Sequence, residues 1–460
     1  MNKILPKRNV YLRGYETPNK PAPRRDKPRP RKAHRWLAYV LIVLALGVAW
    51  LLLSGTQVVQ RQSTATQNKT PNKRTEVSTG KVVEQGEVVS YTSEQTLQLI
   101  RQTNKGYTGP ATAVKTQTFR YTMTDTNGQT AQVYARVFVP STGATEGLPV
   151  FAFAPGTTGI DDQCAASVEQ SSKRAWGNYP SHMAAYAAQG YATVITDYEG
   201  MRDQTRMHHY MVGALEGRAV LDSVRALGNL PLTKDRITTE QVIVGGYSQG
   251  GHAAYWADEI AATYAPEIKI QGVIGFGPVT DVRRTLTDTT QGANILWFGP
   301  YVLYSYSDWY KESYPVDKIL VPPFSSNLAT DISKNCIDTN IAYWGNKDIN
   351  KVYTPQFIAA MRTGSVAAVS KAFDQRMQEN LTADTKTSSN KAIFHGDLDN
   401  VVLPAQSQDA VTRLCQLGNT VAYKRYADAT HYTTMTRSYN DTINWMKAVF
   451  TSAQLPSDCK

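Results

Sequence analysis

One short segment in the middle of the chain constrains its fold more than any other feature. The run Gln241-Val-Ile-Val-Gly-Gly-Tyr-Ser-Gln-Gly is apolar and β-branched up to its glycines, and a helix-forming segment follows it closely. Strand, tight turn and helix are the setting in which a G-x-S-x-G motif exposes a nucleophilic serine. Side chains at Gly246 or Gly250 would collide with the neighbouring strand or helix. The motif therefore predicts a sharp turn at Ser248, above the carboxyl end of a sheet and at the start of a helix.

Strand-like and helix-like segments alternate on both sides of this motif. The alternation predicts an α/β fold in which a largely parallel sheet is covered by helices on both faces. The strand candidates are residues 132–139, 148–154, 191–196, 273–276, 392–394 and 420–426, and the helix candidates are residues 182–189, 216–227 and 254–262.

A long insertion interrupts the alternation at residues 281–390. It is too long for a loop inside a compact domain, so we predict a cap domain whose later part, residues 354–380, is helical. The early part is rich in aromatic residues. Such a cluster fits an acyl or aromatic substrate, and it fits an ordinary hydrophobic core equally well. The aromatic residues are Trp297, Phe298, Tyr301, Tyr304, Tyr306, Trp309, Tyr310 and Tyr314.

The positive charge of the chain is concentrated at its N-terminus. Residues 1–35 contain twelve lysine and arginine residues against Glu16 and Asp26, which accounts for +10 of the net charge of +11. The rest of the chain is close to neutral, so its charge gives no indication of nucleic-acid binding. A basic block beside an apolar run is instead typical of a protein that meets a membrane.

Residues 36–53 have the features of a membrane anchor. They contain no charge, and as a helix they would span about 27 Å, close to the thickness of the hydrocarbon core of a bilayer. The basic block before them predicts a cytoplasmic N-terminus and a single-pass protein with an extracytoplasmic catalytic domain. A cleaved signal peptide, which would give a secreted protein, is the alternative, but the run is long and no clear A-x-A site follows it. We thus expect a disordered tail (1–35), an anchor (36–53), a flexible stalk (54–87) and a folded domain (88–460).

A nucleophilic serine requires a base, and the base requires a carboxylate that fixes its tautomer. In a strand–turn–helix setting the chain order is serine, then acid, then histidine. Asp397 and Asp399 follow a predicted strand, and both are candidates for the acid. His431 is the only histidine after that loop, so the chain order selects it as the base.

Two backbone N–H groups are expected to stabilise the oxyanion. One belongs to Gln249, directly after the serine. The other should come from a loop after an earlier strand, here Pro155-Gly-Thr-Thr-Gly, where Gly156 leaves the backbone accessible. Thr157 N–H is the candidate. A plain glycine-rich turn is the alternative interpretation of this loop.

The cysteines indicate disulfides and the histidines give no metal site. Four cysteines beyond the anchor allow three pairings, and a translocated domain permits disulfides. No C-x-x-C or H-E-x-x-H pattern is present, and neighbours such as His208-His209 rarely converge on one ion. No metal or organic cofactor is expected. The cysteines are Cys164, Cys336, Cys415 and Cys459.

Several ordered motifs accompany the serine, the acid loop and the final histidine. They are Pro155-Gly-Thr-Thr-Gly-Ile-Asp-Asp-Gln-Cys164, Asp197-Tyr-Glu-Gly200, His208-His-Tyr-Met-Val-Gly213, Glu216-Gly-Arg-Ala-Val220 and Gly246-Tyr-Ser-Gln-Gly-Gly251.

This ordered set resembles the secretory lipase (lipase A-like) family of α/β-hydrolases, over roughly residues 88–459. The resemblance implies an α/β-hydrolase fold with a mostly helical cap over an acyl-binding tunnel. It also implies Ser248 as nucleophile and His431 as base, and it selects Asp399 as acid because the family's acid falls three residues after the loop glycine. Two disulfides are implied in the same way, and the pairs are Cys164–Cys336 and Cys415–Cys459.

These features predict an extracytoplasmic, membrane-tethered serine ester hydrolase, a lipase or carboxylesterase that acts on an ester or lipid. A serine peptidase or acyltransferase on the same fold is an alternative, since a triad alone does not select among these reactions. A cell-envelope binding protein with a degenerate site is a second alternative. The intact set of serine, acid and histidine argues against it.

Overall fold

The computed structural model describes residues 79–143, 146–170, 176–203, 205–345, 347–451 and 453–459. The predicted tail and anchor, residues 1–53, and most of the predicted stalk lie outside these residues. Within the described chain, no helix combines the length and the apolar character that crossing a bilayer requires. The division into tail, anchor, stalk and cap domain stays a prediction.

Nine strands of the described chain form one sheet. They are β1 (Val82–Tyr91), β2 (Val114–Thr124), β3 (Thr130–Pro140), β4 (Leu148–Ala154), β5 (Ala192–Thr196), β6 (Ile237–Tyr247), β7 (Ile270–Phe276), β8 (Asn390–Gly396) and β9 (Val421–Tyr426). Their order is β1-β2-β3-β5-β4-β6-β7-β8-β9. The first three pairs in this order, β1-β2, β2-β3 and β3-β5, are antiparallel. The remaining five pairs, from β5-β4 to β8-β9, are parallel.

Helices cover both faces of the sheet and fill the chain between β7 and β8. In chain order they are α1 (Ser93–Arg101), α2 (Tyr179–Ala187), α3 (Gly213–Leu227), α4 (Gln249–Tyr264), α5 (Val282–Asp288), α6 (Phe298–Trp309), α7 (Val316–Ile319), α8 (Phe324–Ser333), α9 (Ile337–Gly345), α10 (Pro355–Arg362), α11 (Lys371–Glu379), α12 (Pro404–Gln416), α13 (Thr434–Arg437) and α14 (Tyr439–Phe450).

The parallel part of the sheet is buried on both faces. On β6, Val242 and Val244 belong to a core shared with α3, α4 and α12. The residue between them, Ile243, belongs to the opposite core, which includes α2 and α14. All three side chains are fully buried. A strand covered on both faces requires consecutive apolar residues, which explains the run that precedes the glycines.

The predicted α/β architecture with a mostly parallel sheet is confirmed, and β4 has the predicted bounds. The sequence reasoning missed β1, α1 and β2. β1 begins at Val82, before the predicted start of the folded domain at residue 88. Nearly all of its side chains are exposed, including those of Val88 and Val89, so no alternation of apolar and polar residues marks it as a strand.

The helices α5 to α11 form an insertion between β7 and β8, here called the helical insertion. Its aromatic residues mostly pack against one another and against neighbouring aliphatic side chains. Phe298, Tyr301 and Tyr306 are fully buried in this cluster. The aromatic richness of the segment is therefore largely the core of the insertion.

A buried histidine joins the helical insertion to the rest of the domain. His209 Nδ1 lies 2.8 Å from Glu199 Oε2, and His209 Nε2 lies 2.9 Å from Asp308 Oδ2 on α6. Because both ring nitrogens face carboxylate oxygens, the imidazole carries two protons and a positive charge. Burial alone lowers the pKa of His209, but the hydrogen bonds and charges of the two carboxylates outweigh it and raise that pKa.

Replacing His209 with Gln removes this charge, and we expect the free energy of unfolding at about pH 6 to fall by about 1–3 kcal/mol. The pKa of His209 is higher in the folded chain than in the unfolded chain. The contribution of His209 to the free energy of unfolding is therefore complete below about pH 6.5, the pKa of histidine in the unfolded chain. It disappears as the pH rises through the higher pKa that His209 has in the folded chain. Urea unfolding of both proteins at about pH 6 and about pH 9.5 measures the effect. A stability difference of equal size at both pH values would contradict this account of His209.

Candidate active site

The chain turns sharply at Ser248, between the end of β6 and the start of α4. Ser248 has φ 57° and ψ −115°, a strained conformation for a residue with a side chain. A Cβ on Gly246 would lie 1.9 Å from the carbonyl oxygen of Gly250. A Cβ on Gly250 would lie 1.9 Å from the carbonyl oxygen of Ala154 at the end of β4. The two glycines thus allow the close backbone approach on which the serine turn depends.

Ser248 and His431 line the same cavity, whose volume is about 180 Å³. Both residues are buried, and His431 begins a short helical turn in the loop after β9. The imidazole of His431 packs against the ring of Tyr247, with 4.9 Å between ring centroids. The wall of the cavity is mostly apolar. Its other lining residues are Thr157, Trp176, Tyr247, Trp297, Ile337, Asp338, Ile341, Val401 and Tyr432.

Asp399 is the carboxylate that contacts His431. Asp399 Oδ2 lies 2.6 Å from His431 Nδ1, so this nitrogen donates and Nε2 is left to accept a proton. Asp399 Oδ1 accepts hydrogen bonds from the backbone N–H groups of Val401 and Val402, each at 2.9 Å. Burial alone raises the pKa of Asp399, but the positive charge of His431 in its protonated form and the hydrogen bonds from His395 and His431 hold this pKa well below its usual value. The carboxylate is therefore ionised at neutral pH.

The other candidate acid lies away from the site. Asp397 forms a partly exposed ion pair with Arg425, at 2.6 Å. The structure therefore brings Asp399, and not Asp397, to His431.

The sequence reasoning missed the contact between Asp399 and a second histidine. Asp399 Oδ2 lies 3.1 Å from Nε2 of the fully buried His395, which is near the end of β8, just before the loop that carries Asp399. That nitrogen also lies 2.9 Å from the carbonyl oxygen of Val402. Since a carbonyl oxygen only accepts, His395 Nε2 carries a proton and donates it toward both oxygens. The sequence signal that could have indicated this contact is the position of His395, four residues before Asp399.

The two predicted oxyanion donors lie at the same end of the sheet, Thr157 in the loop after β4 and Gln249 at the start of α4. Among the described residues, the backbone N–H groups of Gln249 and Thr157 have no hydrogen-bond acceptor. Thr157 Oγ1 and Tyr210 Oη are 2.9 Å apart, and the N–H of Gly156 donates to Tyr179 Oη at 2.8 Å. The loop is thus held by the hydroxyl of Thr157 and the N–H of Gly156, while the N–H of Thr157 makes no hydrogen bond within the described chain. Thr157 lines the same cavity as Ser248.

Both disulfides implied by the resemblance are present. Cys415–Cys459 joins the end of α12 to the C-terminal segment. Cys164–Cys336 joins the chain after β4 to the helical insertion. Next to it, the N–H of Ile337 donates to the carbonyl oxygen of Thr158 at 2.8 Å. The loop that carries Thr157 is therefore attached to the insertion by a covalent bond and a hydrogen bond.

Comparison with known proteins gives one family. A family model described as secretory lipase matches residues 181–457. The trichothecene C-3 esterase of Fusarium sporotrichioides is 25% identical over 273 residues, 56% of this chain and 56% of that protein. Lipase 1 of Candida albicans is 26% identical over 284 residues, 59% of this chain and 58% of that protein. The chain spans just over half the length of these relatives.

Solved structures share the fold. The rice cell wall degrading esterase LipA of Xanthomonas oryzae has a TM-score of 0.66 and 17% sequence identity, over 81% of this chain and 97% of that one. At this identity the likeness is evidence for the fold alone. The α/β-hydrolase fold implied by the resemblance is thereby confirmed.

The close approach at Gly250 is tested by replacing it with Ala. We expect the free energy of unfolding to fall by about 3 kcal/mol or more, because the added Cβ meets the backbone of β4. Gly106 is the matched control, since a Cβ there would meet nothing within 4 Å. Its replacement by Ala should change the stability by no more than about 0.5 kcal/mol. Equal stabilities of the two variants in urea unfolding would contradict the packing described for the serine turn.

Proposed function

The chain belongs to the secretory lipase family, and from that premise we propose that it is a serine ester hydrolase that works through an acyl-enzyme on Ser248. The observation that carries the proposal is the 2.6 Å contact between His431 and Asp399, with His431 and Ser248 lining one cavity. A buried histidine held by a buried carboxylate beside a strained serine is the arrangement that activates a hydroxyl for acyl transfer.

In the first half-reaction His431 Nε2 takes the proton of Ser248 Oγ as this oxygen bonds to the ester carbonyl carbon. The carbonyl oxygen becomes an oxyanion. When the bond from this carbon to the leaving alkoxy oxygen breaks, His431 gives its proton to the departing alcohol. The product is an ester of Ser248. In the second half-reaction, a water molecule gives a proton to His431 Nε2 as its oxygen bonds to the acyl carbon. The bond from this carbon to Ser248 Oγ then breaks and His431 returns the proton to Oγ, which releases the carboxylic acid and restores Ser248.

The surroundings of Asp399 suit its part in these steps. Its carboxylate keeps the Nδ1 proton on His431, which leaves Nε2 as the proton acceptor, and it stabilises the imidazolium that forms. Four hydrogen bonds from Val401, Val402, His395 and His431 hold the carboxylate in place. We propose the backbone N–H groups of Gln249 and Thr157 as donors to the oxyanion, each worth about 3 kcal/mol of transition-state stabilisation.

The apolar wall of the cavity supports an ester substrate with an apolar acyl group. The side chains of Trp297, Ile341 and Val401 carry no hydrogen-bond acceptor for a peptide N–H, and they suit the burial of hydrocarbon. Two relatives are named as an esterase and a lipase, which supports the same class of reaction. We therefore propose ester rather than amide hydrolysis.

Substitution of Ser248 by Ala should abolish hydrolysis of short nitrophenyl esters and leave thermal unfolding nearly unchanged. Asp399→Asn should lower kcat by about 10⁴-fold, because an amide no longer fixes the histidine tautomer. Asp397→Asn is the matched control and should retain full activity. Steady-state kinetics with nitrophenyl esters, beside nitroanilides of the same acyl groups, measures these effects. Turnover by the Ala variant, or equal losses in the two Asn variants, would refute the assignment.

We propose further that residues 36–53 anchor the protein in a membrane, with the hydrolase domain on the extracytoplasmic side. The eighteen uncharged residues and the basic block before them support this location. Secretion after cleavage near Ser54-Gly55 is the alternative. The family's description as secretory supports an extracytoplasmic site in either case.

Two substitutions by arginine in the apolar run, residues 36–53, test whether this run is a membrane anchor. Leu44→Arg with Leu46→Arg should move the full-length protein from the carbonate-washed membrane fraction to other fractions, since each charge costs about 2.5–3.5 kcal/mol at the centre of a spanning helix. Leu44→Ala with Leu46→Ala is the matched control and should stay in the membrane. Mass spectrometry of the intact wild-type protein should find residues 1–53 attached. A mature chain that begins after Gly55 would contradict the anchor.

A further inference from the structure

A cluster of four buried polar side chains surrounds the start of α4, next to the serine turn, and none of the four lines the cavity. It consists of Gln249 and His252 on α4, Glu216 on α3 and His208 in the preceding loop, all buried. None of the chemical steps given for the proposed hydrolase uses Glu216, His208 or His252. Buried polar groups cost free energy unless they are bonded, so the arrangement of this cluster requires an explanation.

The side-chain amide of Gln249 is held at two points. Its Nε2 donates to Glu216 Oε1 at 2.7 Å and to His208 Nε2 at 2.9 Å. His208 Nε2 accepts because Nδ1 donates to the carbonyl oxygen of Glu199 at 3.3 Å. Burial lowers the pKa of His208 to about 4, which agrees with a neutral ring. These contacts leave the amide of Gln249 a single orientation, with both of its protons donated.

Glu216 is the centre of the cluster. Its Oε1 also accepts from the N–H of Met211 at 3.0 Å. Its Oε2 lies 2.7 Å from His252 Nδ1, and His252 Nε2 donates to the carbonyl oxygen of Asn380 at 2.8 Å. Since Asn380 oxygen only accepts, His252 Nε2 keeps its proton, and one further proton lies between Nδ1 and the carboxylate. The carboxylate of Glu216 thus joins α3, the first turn of α4 and, through His252, the end of the helical insertion.

We propose that Glu216 is a positioning residue, which through the side chain of Gln249 fixes the backbone N–H of Gln249 toward the oxyanion of the ester. The inference rests on the proposed hydrolase function. Gln249 is the first residue of α4, so no preceding helical turn supplies an acceptor that would align its N–H. The two hydrogen bonds to the side chain of Gln249 instead fix the dihedral angles that set the direction of this N–H.

Glu216→Ala should lower kcat about 10- to 100-fold, because an oxyanion donor displaced by a fraction of an ångström loses much of its effect. KM for a nitrophenyl ester should change by less than about threefold, since the donor acts mainly on the transition state. The affinity for a trifluoromethyl ketone, whose adduct with the serine carries an oxyanion, should fall in parallel with kcat/KM. A general loosening of the fold would not lower the affinity for this inhibitor while KM is kept.

Glu216→Gln is the conservative rescue variant. Its amide oxygen can accept from Gln249 and Met211 as Oε1 does, and its NH₂ can donate to Nδ1 of a neutral His252. All the hydrogen bonds that hold Gln249 are then kept. We expect this variant to recover kcat to within about fivefold of the wild type, since the bonds and not the charge do the positioning.

Gln249→Met provides a second route if the Ala variant does not fold. It keeps the length of the side chain and the backbone N–H but removes both bonds to Glu216 and His208, so kcat and inhibitor affinity should fall as in Glu216→Ala. Ala and Met variants that keep kcat within about twofold would overturn the proposal, as would a Gln variant no more active than the Ala variant. A wild-type protein without ester turnover would instead remove the proposed function itself.

Discussion

The backbone of Gly250 lies so close to the end of β4 that an added Cβ would meet the carbonyl oxygen of Ala154 at 1.9 Å. This contact sets the first turn of α4 against the carboxyl ends of β4 and β6. Ser248 is held in its strained conformation by it, and Gln249 N–H comes to the same end of the sheet as the loop of Thr157. The geometry of the proposed nucleophile and of both proposed oxyanion donors therefore depends on one close approach between backbone segments.

Two buried carboxylates hold side chains at or next to the serine turn. Asp399 orients His431 in the cavity, and Glu216 holds the side chain of Gln249 next to the turn. Each is bonded by at least one histidine and by at least one backbone N–H group, which compensates for the removal of the carboxylate from water. The same chemistry thus holds both the proposed proton acceptor, His431, and the side chain of the proposed oxyanion donor, Gln249.

The parts of the fold that could be predicted from sequence are those set by local pattern. The run before Ser248 is apolar at successive positions because β6 is buried on both faces, and the glycines mark the turn. β1 could not be predicted, because an exposed antiparallel strand carries no alternation. The residues alone did not show whether Asp397 or Asp399 is the acid, because Arg425 comes beside Asp397 only through the pairing of β8 with β9. The contact of Glu216 with Gln249 depends on how α3 packs on α4, which no spacing encodes.

The central claim is that a single serine hydroxyl is activated in the cavity beside His431. The most direct measurement is peptide mass spectrometry of the full-length protein after treatment with a fluorophosphonate, which forms a covalent bond with activated serines. The account predicts one modified residue, Ser248, and labelling that is much slower when His431 is replaced by Ala. A protein that stays unmodified, or is modified on another serine, would contradict it.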